Sequence, residues 1–174
     1  MTDIGFYHLT RSKLQDALPK LLGRVLDSGG RGFILCGDAE RARALDAALW
    51  LPADPPWLPH GLAGGEHDAA QPLLIADQDV PPANGARFLV LVDGAASVLL
   101  QNYDRVLDLF DGGDEAAVAA ARARWVVAKD AGHSLTYWQQ TDRGWEKKAS
   151  HPPASRPVLP PPPTRQSKLQ DHLS

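Results

Sequence analysis

The stretch from Gly29 to Trp50 constrains the fold more than any other. It reads as a turn, a buried strand and an amphipathic helix closed by an aromatic residue. Phe33, Ile34, Leu35 and Cys36 form a short apolar block between Gly32 and Gly37. Such a block suits a central strand covered on both faces. Asp38 follows at an N-cap position, where its carboxylate can accept from free backbone amides. Ala42, Leu45, Ala48 and Leu49 then make a stripe that packs a helix back onto a sheet. A strand feeding a helix in this way predicts an α/β domain with a mainly parallel sheet.

The glycine patterns that cradle phosphate are missing. No G-x-G-x-x-G follows the strand, and no G-x-x-x-x-G-K-[ST] occurs in the chain. A small nucleotide-binding enzyme, using the strand-end cleft near Gly37 and Asp38, stays as an alternative resting on fold alone.

Elsewhere the pattern continues in kind. Ile4 to Leu9 predicts a first strand. Ser12 is placed to cap a helix over Lys13–Asp27, whose stripe is Leu14, Ala17, Leu18, Leu21, Leu22 and Val25. Pro19 lies inside that stripe, so a kink is expected there, or a helix start nearer Ala17. Gly29-Gly30 ends the helix. Leu51 to Gln71, with four prolines and three glycines, reads as one long irregular loop. Leu73–Ala76, Phe88–Val92 and Val106–Phe110 read as strands, Asp77–Ala86 as a loop, and Val98–Tyr103 as ambiguous. After Gly112-Gly113, Asp114 caps a helix over Glu115–Lys129 with acid at its start and base at its end, matching the macrodipole. Ser134–Lys148 predicts a hairpin around Thr141–Gly144. The expected domain spans 1–150. Seven prolines among residues 152–163 mark 151–174 as a proline-rich tail, expected to be flexible.

Charge is uneven although the net value is only −3. Residues 27–80 carry nine acids against three arginines; residues 115–150 carry six bases against four acids. Two differently charged faces, and two partners, fit that asymmetry. The thin excess of base argues against direct nucleic-acid binding. A single cysteine, Cys36, excludes an internal disulfide, and its apolar strand favours a buried hydrophobe over a nucleophile. Without a long apolar run or a leader-like start, a soluble cytoplasmic protein with no membrane contact is expected.

Enzymatic constellations are poor. His60 and His67 with Glu66, Asp68 and Asp77 lack a spacing that fixes a metal geometry, so no metal and no cofactor is expected. A Cys36–His60 pair needs an exposed thiolate, and no serine sits in G-x-S-x-G. Two binding surfaces stand out instead. Arg122, Trp125 and Lys129 fall at i, i+3 and i+7, on one helix face. A large aromatic between cations is a dock for an acidic peptide ending in an apolar side chain. Lys147 and Lys148 can extend its basic rim. The opposing reading, Trp125 in the core with solvated bases around it, stays open. Trp50, Trp57 and His60 make the second surface, with inward-folded tryptophans as its alternative.

Four stretches together resemble one family: F-Y-H-L (6–9), F-I-L-C-G-D with A-L-D-A-A-L-W, W-L-P-H-G-L-A-G-G (57–65), and R-x-R-W-x-x-A-K-D-A-G-H-x-L (122–135). In this order they are similar to the chi subunit of bacterial DNA polymerase III, over residues 4 to about 148. The resemblance implies a three-layer, Rossmann-like α/β domain with a mainly parallel central sheet, helices on both faces and no catalysis. It implies a replication adaptor linking the clamp loader to single-stranded DNA-binding protein by gripping that protein's acidic C-terminal tail. DNA would be met only indirectly. Arg122, Trp125 and Lys129 occupy the matching tail-docking positions. Where the family commonly has lysines this chain has Val118 and Val126, so the resemblance implies a grip that is either weaker or shared with Arg124, Lys147 or Lys148. Trp50, Trp57 and His60 correspond to the family's surface for the psi subunit or a helicase.

Overall fold

A computed structural model describes residues 2–51 and 57–152. Its elements are β1 (Asp3–Leu9), α1 (Leu14–Asp27), β2 (Gly32–Leu35), α2 (Ala39–Ala48), β3 (His60–Leu62), β4 (Leu73–Ala76), β5 (Phe88–Leu91), β6 (Arg105–Asp111), α3 (Glu115–Asp130), β7 (Ser134–Thr141) and β8 (Gly144–His151). The eight strands form one sheet in the order β3-β4-β2-β5-β6-β1-β7-β8. Every ladder is parallel except the β7–β8 hairpin. An α/β chain with a mostly parallel sheet is therefore what these residues build. Central strands β2 and β4 are buried along their whole length, which is why they read as unbroken apolar runs.

Alternation along the strands splits the core in two. Ile4, Phe6, Leu35, Leu91, Val106 and Phe110 pack with Ala121 and Ala128 of α3. Ile34, Cys36, Ile75, Val90 and Leu109 pack with Leu18 and Leu22 of α1 and Leu45 of α2. Among the described residues no helix is long and apolar enough to cross a membrane.

Helix ends follow the expected chemistry with one exception. Asp38 accepts from the Arg41 amide at 2.8 Å, and Asp114 accepts from the Ala116 and Ala117 amides. Both α1 and α3 close in Schellman turns. Gly29 (φ +80°) and Gly132 (φ +84°) take the left-handed position, with Gly30 and His133 bonding back to Val25 and Ala128. Ser12 does not cap α1. The cap position falls to Lys13, without a side-chain bond, while Ser12 Oγ accepts from Gln140 Nε2 at 2.7 Å. Pro19 does not move the start of α1 either: the helix begins at Leu14 and carries Pro19 buried inside it.

The long loop after α2 is not wholly irregular. It holds β3 and a short 3-10 turn at Asp68–Ala70. The ambiguous segment near Val98 resolves as a 3-10 turn at Leu100–Asn102. The proline-rich tail lies, from residue 153 onward, outside the described residues.

Candidate functional site

Helix α3 covers the sheet at β1, with an apolar groove along one flank. Because β7 lies parallel beside β1, Phe6 and Tyr137 are register neighbours and point to the same face. Together with Phe110 of β6 they floor the groove. Val118, Ala121, Arg122, Trp125 and Val126 of α3 form its wall, and Ala149 of β8 closes the far side. The groove encloses about 390 Å³, within the range of ligand-holding clefts.

Trp125 is half-buried, so both readings of it are partly met. Its ring meets Phe6 edge-on at a centroid distance of 5.3 Å and Tyr137 at 6.3 Å, leaving the remainder to line the groove. Arg122 stands exposed at the rim. Among the described residues it enters no ion pair. A cation beside a half-open aromatic cleft can attract an anionic chain and seat an apolar end.

Two further bases behave differently. Arg124 turns to the other flank and clamps Asp108 with bonds of 2.6 and 3.0 Å; these side chains are 17% and 3% exposed. Burial pushes the Asp108 carboxyl up, and the guanidinium pulls it back down. That guanidinium is committed within the fold and lies outside the groove. Lys129 is exposed one turn beyond Trp125 and does not line the groove. In β8, Ala149 pairs with Tyr137 and Lys147 with Trp138, so Lys148 is the extra residue of a bulge, 3.3 Å from Glu146.

At the opposite edge of the sheet, Trp50 (62% exposed), Leu51, Trp57 (67%) and Leu62 present large apolar side chains to solvent. His60 is not exposed with them. Its imidazole is buried under Trp50 at 4.6 Å, with Nδ1 2.7 Å from the Leu58 carbonyl and Nε2 3.2 Å from that of Asp46. It positions Trp50 and offers no surface of its own.

A third concavity, about 580 Å³, sits at the carboxyl ends of β1 and β6. Asp93, Asp111 and Asp114 line it alongside Lys13, Arg41 and Arg124, whereas Gly37 and Asp38 do not. The carboxylates of Asp38 and Asp114 already accept from amides in the first turns of α2 and α3, where a phosphate would compete with them. Cys36 is buried, and desolvation, followed by the nearby carboxylates of Asp93, Asp38 and Asp77, pushes its thiol up to about 12. It stays protonated at neutral pH, and both ring nitrogens of His60 face carbonyl oxygens rather than a thiol. Among the described residues no three of His, Cys, Asp and Glu gather in metal-ligating geometry; Asp68 instead accepts from the Gly64 and Gly65 amides.

Comparison with known proteins decides the family. The model of "DNA polymerase III chi subunit, HolC" matches residues 1–136. The chain belongs to the DNA polymerase III chi subunit family. It is 28% identical over 140 residues to the DNA polymerase III subunit chi of Pseudomonas aeruginosa, covering 78% of this chain and 94% of that one. It is 24% identical over 101 residues to the probable DNA polymerase III subunit chi of Rickettsia prowazekii, covering 58% and 61%. This chi family membership supports an accessory role in DNA replication. The match spans the α3 groove down to Thr136, one residue short of Tyr137.

The sequence named Arg122 and Trp125 but missed Phe6, Phe110 and Tyr137. Period-two alternation in β1 gives Ile4, Phe6 and His8 one face, a signal that could have brought Phe6 forward. Tyr137 had no such signal, because only the sheet order sets it beside Phe6.

Proposed function

We propose that this chain is a non-catalytic adaptor of the replicase. It links the clamp loader to single-stranded DNA-binding protein by seating that protein's acidic C-terminal tail in the groove beside α3. The observation that carries this reading is Arg122, in no ion pair among the described residues, at the rim of a cleft built from Phe6, Phe110, Trp125 and Tyr137. The aromatic walls take the apolar end, and the rim guanidinium takes a carboxylate. Lys129 adds long-range attraction from the last turn of α3, and Lys148 does so from the bulge. Arg124 contributes by fixing α3 and makes no direct contact with the tail. The division of the core between α3 on one side and α1 with α2 on the other supports a three-layer, Rossmann-like arrangement in residues 1–150.

Titration of a fluorescent peptide, an acidic run ending in Phe, is the direct test. Binding is expected to weaken as salt rises, since the rim contacts are solvent-exposed. Arg122→Ala should cost about 1–2 kcal/mol of affinity, the worth of a charged hydrogen bond. No binding even at low salt would remove the reading. The nucleotide alternative would need thermal stabilisation by a nucleotide and none by the peptide.

The Trp50–Trp57 edge is the second docking surface, for a psi subunit or a helicase. Exposed aromatics near a strand end fit a hot spot. Trp57→Ala should shift stability by no more than about 0.5 kcal/mol in urea unfolding. The same variant should lose binding to a purified psi or helicase partner; unchanged binding would reassign this edge.

A further inference from the structure

One ionisable group stands directly behind the groove. His8 follows Phe6 on the same face of β1. Its ring stacks on Phe110 at a centroid distance of 5.0 Å, and its Nδ1 lies 2.5 Å from the Tyr137 hydroxyl. The Nε2 edge faces Gly112, where the chain passes so closely that only glycine fits.

The groups around His8 are few. From β6 and the turn after it come the Phe110 ring, the Gly112 backbone and Asp111, whose carboxylate is engaged by the Gly113 amide at 2.8 Å. From α3 comes Arg122, from β7 Tyr137 and the register neighbour Gln139. Burial lowers the His8 pKa from its ordinary value; a backbone hydrogen bond at Gly112 opposes this and the Arg122 charge reinforces it. Tyr137 is raised by burial, with Arg122 pulling it down. The free protein therefore holds His8 neutral at physiological pH, with Nδ1 accepting from the tyrosine hydroxyl.

We propose that His8 is a proton-linked positioning residue of the docking groove: once protonated it donates to Tyr137, whose own hydroxyl hydrogen then turns to a carboxylate of the bound peptide. The inference rests on the peptide-docking reading. The balance is simple: one proton is taken from solvent at Nδ1, no covalent bond is exchanged, and the tyrosine changes from donor towards histidine to donor towards ligand. A carboxylate arriving beside Arg122 also offsets the positive charge that disfavours protonation. Peptide binding and proton uptake then favour one another. Affinity is highest below the His8 pKa of the free protein and falls as pH rises through the higher value of the complex.

The test is anisotropy titration of a synthetic peptide, an acidic run ending in Phe with a free carboxylate, from pH 5.5 to 8 at fixed ionic strength. The wild-type chain should lose about five- to tenfold in affinity across that range, as expected when binding and protonation of one group favour each other. Peptide carboxylates titrate below the window. His8→Gln should bind with a flat profile near the wild-type affinity at pH 8, and Tyr137→Phe should lose the pH dependence whatever its absolute affinity. Calorimetry in two buffers of different ionisation enthalpy should show proton uptake for the wild type and none for His8→Gln. A flat wild-type profile, or a slope that survives His8→Gln, overturns the proposal while leaving peptide docking intact. Absence of binding at every pH overturns docking and this inference together.

Discussion

Arg124→Ala is expected to cost about 3–5 kcal/mol of stability, the usual price of leaving one member of a buried ion pair alone. Asp108 sits mid-strand in β6 with its side chain 3% exposed, and both its oxygens are taken by Arg124. Among the described hydrogen bonds its carboxylate has no second partner. Truncating the arginine leaves that carboxylate two options: a buried charge or a proton. Burial already pushes the carboxyl up, and Arg124 is the group holding it down. In the variant the folded-state value therefore rises well above the unfolded one. A group raised in this way contributes stability below its unfolded pKa and loses it as pH rises through the folded one. The deficit of Arg124→Ala should accordingly be small near pH 4 and full at pH 8. Urea unfolding at the two pH values measures it. A loss under about 1 kcal/mol at pH 8 would mean that the pair is not holding α3 to β6. The double replacement Asp108→Val with Arg124→Met should recover most of the loss, since it removes both charges and stays near the original volume.

Arg124 also shows where reading the chain stops. Two residues from Arg122 and adjacent to Trp125, it looks in sequence like one more cation for a ligand. The countervailing signal was present: Asp108 interrupts the apolar strand V-L-D-L-F, and a carboxylate buried there requires a partner. What the sequence could not say is which arginine supplies it, because that depends on how α3 rotates over β6. Local chemistry was legible where one element decides the outcome. The Asp114 cap, the Gly29 stop and the β7–β8 hairpin all belong to that class. It failed where a neighbour decides. Three-residue β3 exists only through its ladder with β4, and Ser12 gives up its capping role to Gln140 of β7. His60 reads as surface because proline and glycine surround it, yet Trp50 lies over it. The groove was half legible for the same reason. Its α3 wall follows from helical spacing, while its floor joins β1, β6 and β7, three strands far apart in the chain.

Trp125→Ala should weaken peptide binding by 2 kcal/mol or more, about thirtyfold, because the indole is both a wall of the cleft and the largest surface offered to the apolar end. The ring is held edge-on between Phe6 and Tyr137, so its position is set before any ligand arrives. An anchor fixed in this way loses little rotamer freedom on binding, which is what makes truncation expensive. The same contacts mean that the variant loses packing, so affinity must be read on the folded fraction established by unfolding curves. Val126→Asp separates the two effects. Val126 is 54% exposed, so its replacement should alter stability by no more than about 0.5 kcal/mol. It sets a carboxylate on the groove wall, next in space to the path of an anionic peptide, and should weaken binding through repulsion that fades with salt. Trp125→Phe keeps an aromatic wall and should retain part of the affinity. If Trp125→Ala binds as the wild type does, the peptide does not enter this cleft, and the exposed Arg122 would then act only as a distant attractor.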